Sequence, residues 1–300
     1  MNLYSSNNLT MCPRARTGCP RAFTLIDLIA VLAVAALLAA VSLSLGFTTK
    51  ERVLRAECVS NLRQIGLGWN IYQENYNQVM PCHWPGFTVG VGSESEASPW
   101  RTYEAYRVVP GTGQLEIGDG TEAPGTPSGP WNLGVLFATK LISSPKVFYC
   151  PATAGIANQF SYEYYTTISN SWPSTPVGTG DYEIRVGYNY CPQLRAVEVI
   201  GNGYLGPKLA VTPAKWTDLD PKKSIATDLV DNLGLLSHQA SGTVAGLNAL
   251  FPDGRVVFQN ARSNPQAFNV SLWEDPYDPA DGDVGQNPSA FRHVMSLWTP

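Results

Sequence analysis

Histidine is scarce in this chain, and so are clusters of positive charge. There are three His residues in 300, at 83, 238 and 293, and the 20 Lys and Arg are scattered. A surface that binds nucleic acid needs grouped Lys and Arg, so that class is excluded as the first reading. No G-x-S-x-G, H-E-x-x-H or G-x-x-x-x-G-K-[ST] run occurs, which leaves no nucleophile elbow, zinc-protease helix or phosphate loop. None of the six cysteines has a C-x-x-C spacing, so the sequence offers no ordinary zinc motif. No catalytic constellation emerges: His238 and Asp253 could pair as base and orienter, but two residues do not make a site, and the expectation is a non-enzyme without cofactor. Long apolar runs are also lacking, with one exception.

That exception is Phe23–Phe47, 25 residues in which Asp27 alone is ionisable. A hydrocarbon core of about 30 Å needs roughly 20 apolar helical residues, so the run is long enough to span a membrane. Arg14, Arg16 and Arg21 precede it with no acid, which keeps that end cytoplasmic. Met11 offers a second start, and Cys12 and Cys19 lie in the same leading segment. Removing residues 1–22 moves the net charge from −4 to −7. A carboxylate inside an apolar span costs about 2.5–3.5 kcal/mol on insertion scales and marks a functional position. Asp27 therefore needs a partner, or must reach the near interface.

Ala22-Phe23-Thr24-Leu25-Ile26-Asp27-Leu28 resembles the prepilin-type cleavage and methylation signal of type IV pilins and type II secretion pseudopilins. Ala22 stands where most members have Gly, and Asp27 where most have Glu. The resemblance implies that a prepilin peptidase cuts between Ala22 and Phe23 and methylates the new amine of Phe23. It implies that Asp27 of one subunit meets the Phe23 amine of the next, in a homo- or hetero-oligomeric filament. The other expected partner is inner-membrane lipid.

From 48 to 78 the chain turns polar but keeps a stripe: Leu54, Cys58, Leu62, Ile65, Trp69, Tyr72 and Tyr76 recur at steps of three and four. No proline interrupts from Phe23 to Val79, which predicts one helix over about 23–77, near 80 Å long at about 1.5 Å per residue. A break near Gly46 is the other reading; Gly66 and Gly68 either bend the helix or allow close packing. The expected fold is α+β: a long N-terminal helix with a transmembrane first half, laid on an antiparallel sheet with long loops. The divisions are a leader (1–22), the membrane half (23–47), an amphipathic half (48–78) and an exported globular domain (79–300) with an acidic tail. The predicted location is the inner membrane, N-terminus in the cytoplasm, globular part periplasmic or at the cell surface.

E-C-V-S-N-L-R-Q-I-G-L-G (57–68), L-F-A-T-K-L-I-S-S-P-K-V-F-Y-C-P (136–151) and N-A-L-F-P-D-G-R-V-V-F (248–258) resemble a pilin-like group of planctomycetes and verrucomicrobia that ends in an H-X9-DG motif. Asp253-Gly254 fits that motif; His238 departs, since 14 residues separate it from Asp253. Read from residues alone, Asn248–Phe251 and Arg255–Phe258 are strands about a type I′ Asp-Gly turn, with Pro252 favouring an edge strand or a longer loop. Leu133–Ile142 reads as a helix. Val147–Cys150, the alternating run Tyr182–Cys191, Arg195–Ile200 and Ser224–Val230 read as strands.

The loops 84–100, 110–130 and 169–180 carry aromatics that suit either recognition or local cover. Four cysteines lie outside the leader: Cys58, Cys82, Cys150 and Cys191. Three connectivities are open; Cys150 with Cys191 is favoured because both end predicted strands, and Cys58 with Cys82 needs the chain to turn back after Val79. Gly201–Gly206 satisfies G-x-G-x-x-G but precedes a strand-like run, not the helix a phosphate site requires. The tail holds Asp278, Asp281 and Asp283, oxygen ligands of the kind calcium takes, without EF-hand spacing; a solvated tail is the plainer reading. A tethered non-filamentous binding protein and a tethered polysaccharide enzyme are the rival functions.

Overall fold

A computed structural model describes residues 24–78, 80, 88–90, 102–107, 130, 132–155, 158–166, 172–174, 183–191, 193–203, 206–213, 215–231, 233–240, 242–273, 293–298 and 300. The chain divides into two units, Met1–Gly46 and Phe47–Pro300.

Helix α1 runs unbroken over Leu25–Asn75, through Gly46, and begins in the first unit. Its start is chemically capped. The backbone N–H and Oγ1 of Thr24 both donate to Asp27 Oδ2 (3.0 and 2.7 Å), and the Asp27 N–H donates to Thr24 Oγ1 at 3.3 Å. This reciprocal pair satisfies amide hydrogens that a helix start leaves over. Nine aliphatic side chains from Leu25 to Leu38 are 54–76% exposed. Among the described residues no helix is long and apolar enough to cross a membrane. The side chains of residues 39–49, which include the last part of the apolar run, lie outside that description.

In the second unit the sequence stripe faces inward. Cys58, Leu62, Ile65 and Trp69 are fully buried, and Leu54 and Tyr72 pack at the margin; Tyr76, at 45% exposure, leaves the stripe at the helix end. Both helix glycines serve close approach. A Cβ on Gly66 would sit 3.1 Å from Leu250 Cδ1, and one on Gly68 would sit 3.3 Å from Leu136 and Ile142.

The strands are β1 (Thr88–Gly90), β2 (Glu104–Arg107), β3 (Glu183–Arg185), β4 (Tyr188–Tyr190), β5 (Leu194–Gly203), β6 (Gly206–Pro213), β7 (Ala226–Asp228), β8 (His238–Ala240), β9 (Thr243–Leu250) and β10 (Val256–Asn260). Among the described residues all pairings are antiparallel. The largest sheet has the order β10-β9-β7-β4, with β8 also on β9; β1-β6-β5 and β2-β3 are smaller sheets.

From Gly246 to Leu250, strand β9 is buried on both faces. Leu250 meets Gly66 of α1, and with Cys58, Leu62, Ile65 and Trp69 it belongs to the core under the helix. Leu247 and Ala249 point the other way, into a second core with Phe251, Trp273, Val294 and Trp298. The period of two places Gly246, Asn248 and Leu250 on the helix side. Asn248 is thus a polar residue committed to an apolar interior.

Several expectations change. The Asp-Gly turn is longer than type I′: Gly254 N–H donates to Phe251 O (2.9 Å), and Phe251 N–H to Arg255 O (3.0 Å). Pro252 and Asp253 take the central places and Gly254 follows at φ +82°; Asp253 is not among the positive-φ residues that a type I′ turn needs. β10 is an edge strand, as Pro252 suggested. Val147–Cys150, read as a strand, is not one: a 3-10 helix over Pro145–Phe148, with Pro145 in its first turn, takes its first two residues. The helix read over Leu133–Ile142 is the single short helix α2 (Gly134–Ala138). Val186 and Gly187 split the predicted strand 182–191 into β3 and β4. Gly187 allows that close approach, since a Cβ there would lie 2.7 Å from the Cys150 backbone nitrogen. Thr88–Gly90, within a predicted loop, pairs with β6. Trp172, from another, is buried and donates from Nε1 to Tyr149 Oη at 2.8 Å, so this aromatic serves as cover.

Candidate functional site

Where β7 ends, β8 begins to pair with the same edge of β9. Thr227 is opposite Ala249 and His238 is opposite Gly246. Asn248 lies at the junction, and the side chains of Asp228 and His238 converge there from two strands. The Asn248 backbone N–H and Nδ2 both donate to Asp228 Oδ2, at 2.6 and 2.8 Å. His238 Nε2 lies 3.3 Å from Asp228 Oδ2 and 3.0 Å from Asn248 Nδ2. Asp228, His238 and Asn248 are fully buried.

Helix α1 closes the group from the other side. Glu51 Oε1 stands 3.2 Å from His238 Nδ1 and 3.2 Å from Arg55 Nη2, and the Arg55 guanidinium stacks 3.6 Å over Phe258. Cys58, two turns further along, is disulfide-bonded to Cys150, whose Sγ is 3.9 Å from His238 Nε2. Burial opposes charge on the imidazole, but the Asp228 and Glu51 carboxylates override it and raise His238 to about 9. Burial would push Glu51 up; His238 and Arg55 prevail and hold it below its usual value. Tyr188, also buried, is pushed well up by burial and then by the Asp228 charge.

The arrangement is an ionic clasp between helix and sheet. The imidazole and the Asp228 carboxylate are sealed from solvent. Sγ of Cys58 and Cys150, a carboxylate oxygen of Asp228 and a ring nitrogen of His238 all lie within 4.8 Å of one another.

Comparison with the sequence expectations is mixed. His238 is part of a site, but Asp253 is not its partner: Asp253 is a turn residue, half-exposed and 3.0 Å from Arg255 Nε. The acid beside His238 is Asp228, ten residues upstream. The disulfide is Cys58–Cys150, so the Cys150–Cys191 pairing is corrected. Cys191 is a free thiol 3.9 Å from Met295 Sδ, with its pKa raised by burial. Cys82 and the calcium candidates Asp278, Asp281 and Asp283 lie outside the described residues, as do Ala22 and Phe23. Gly201–Gly206 spans the β5–β6 hairpin, with Gly203 opposite Gly206, so the phosphate loop is absent there. Sequence reasoning missed Glu51, Asp228 and Asn248. The available signal was Asp228 and Asn248, a carboxylate and an amide inside strands otherwise built of apolar and threonine residues.

Comparison with models of protein families, with characterised proteins and with solved structures gives no significant match.

Proposed function

We propose that the chain is a pilin-like subunit, of the type IV pilus or type II secretion pseudopilus kind. It is cut after Ala22, methylated on Phe23, and packed by the first part of α1 against copies of itself or related subunits. The observation that carries this reading is the contrast along one helix. From Leu54 to Tyr72 its apolar stripe is met by its own domain, while from Leu25 to Leu38 its aliphatic side chains stand open. Exposed apolar surface of that extent calls for lipid or protein cover. The resemblance of 22–28 to the prepilin signal says which: membrane first, neighbouring subunits afterwards.

The Thr24–Asp27 pairing adds a physical role for the short acid. Asp in place of Glu lets the carboxylate fold back on Thr24 and hold the first turn, one residue from the amine that cleavage would release. In a filament that amine of the neighbouring subunit would compete for the same carboxylate. Such a pair in low dielectric fixes register more than it adds stability.

Mass spectrometry of the chain purified from its own membranes tests the reading. The expected product begins at Phe23 and carries one methyl group on nitrogen. A chain that still begins at Met1 or Met11 overturns it and leaves a tethered domain.

A further inference from the structure

We propose that, once the Cys58–Cys150 bond is reduced, Cys58, Cys150, Asp228 and His238 bind one divalent, thiophilic cation of the zinc class. Ion and disulfide would then be alternative cross-links at one place between helix and sheet. The inference is independent of the filament reading.

The donor set comes first. Two sulfurs, one imidazole nitrogen and one carboxylate oxygen are ligands that zinc takes in closed, four-coordinate sites. Zinc–ligand lengths of about 2.0–2.3 Å put tetrahedral donors roughly 3.3–3.8 Å apart. The donors here already fall within 4.8 Å, and every one of the four residues is buried. Nitrogen and sulfur are 3.9 Å apart between His238 and Cys150. The Cys58 and Cys150 Cα atoms are 5.3 Å apart, so the freed sulfurs can separate by side-chain rotation.

The second observation is an oxygen without work. Asp228 Oδ1 is buried and makes no hydrogen bond, while Oδ2 takes both Asn248 donors. A fully buried carboxylate oxygen left bare is costly unless something else occupies its place. The third is the support behind the imidazole. Glu51 lies 3.2 Å from Nδ1, an ion-pair contact without hydrogen-bond geometry, and Nε2 is turned toward Asn248 Nδ2, Asp228 and Cys150. A carboxylate behind a ligating histidine fixes its orientation and raises its basicity. Arg55 in turn neutralises Glu51. A cavity of about 290 Å³ is lined by Cys150 with Glu57, Lys146, Tyr149, Tyr162 and Glu163; Cys58, Asp228 and His238 do not line it.

The chemistry balances with a phosphine as reductant. The disulfide accepts two electrons, water supplies oxygen and two protons, and the phosphorus leaves as phosphine oxide beside two thiols. Each thiol then releases its proton to solvent as its sulfur binds the cation.

The test uses the full chain in detergent, reduced with a phosphine under argon and titrated with cobalt(II), then zinc(II). One equivalent of cobalt should give a thiolate charge-transfer band and the intense visible bands of a tetrahedral ion, bleached by one equivalent of zinc. The oxidised chain should give neither. Asp228→Asn should weaken cobalt binding at least tenfold, and Glu51→Gln, behind the ring, by about 10–100-fold. Circular dichroism follows the fold throughout. If the reduced chain unfolds without metal, one equivalent of zinc should restore its helical signal. The proposal is overturned by a folded reduced chain with no cobalt band, by an unfolded one that zinc does not restore, or by undiminished binding in the doubly substituted Cys58→Ser, Cys150→Ser chain.

Discussion

At the scale of the residue, His238 and Asp253 look alike on paper, as two polar positions of one motif, yet their surroundings differ completely. His238 is sealed between two carboxylates; Asp253 sits on a turn in water. Removing a partner from a buried ionic group leaves uncompensated charge, which costs about 3–5 kcal/mol. An exposed turn ion pair contributes about 0–1 kcal/mol. His238→Ala should therefore lower the urea midpoint of the oxidised chain markedly, with a loss of about 3–5 kcal/mol, while Asp253→Ala should lose under about 1 kcal/mol. Equal effects would show that the two positions share a role that the structure does not give them. The histidine was visible in the sequence because it is one of three. Its acid was not, because Asp228 reaches it through strand order, and spacing along the chain carries no trace of that.

At the scale of the element, β9 explains most of the architecture. It pairs with β10 on one side and with β7 and β8 in succession on the other. Gly246 makes the β9–β10 contact possible: its φ is +148°, and an added Cβ would run into the Gln259 carbonyl oxygen and the Phe258 ring. Gly246→Ala should thus separate β9 from β10 and release Phe258 from under Arg55. We expect destabilisation of about 3 kcal/mol or more, read from thermal unfolding, with near-ultraviolet circular dichroism reporting loss of the aromatic packing. Retention of wild-type stability would mean that the strands can shift register at no cost. The helix stripe and the Asp-Gly hairpin were legible because their signals are local. The 3-10 helix over Pro145–Phe148 was not legible, because the apolar run Val147–Cys150 carries a strand signal. The Cys58–Cys150 bond was not, since it joins positions 92 residues apart whose proximity depends on the docking of α1.

At the scale of the whole molecule, the exposed aliphatic side chains at the start of α1 require cover by lipid or protein. The filament reading makes a separable claim about Asp27. Asp27→Ala removes the carboxylate that Thr24 and a neighbouring amine would share, but leaves the apolar run unchanged. Membrane fractionation should find the variant inserted as before, while chemical cross-linking between subunits falls below detection. Cross-links that persist in the variant would assign assembly to other contacts, and their absence in both forms would favour a tethered monomer.

The sequence by itself determined the long helix, the stripe it buries, the apolar run that leads it and the hairpin that closes β9. These are periodic or contiguous patterns, and short-range sterics and the hydrophobic effect act on them directly. Only the tertiary structure decided that Glu51, Cys58, Cys150, Asp228, His238 and Asn248 meet. Their convergence depends on strand order, on the junction of β7 and β8 along β9, and on two glycines that let a helix come close. Those are long-range choices, made by packing the whole domain at once.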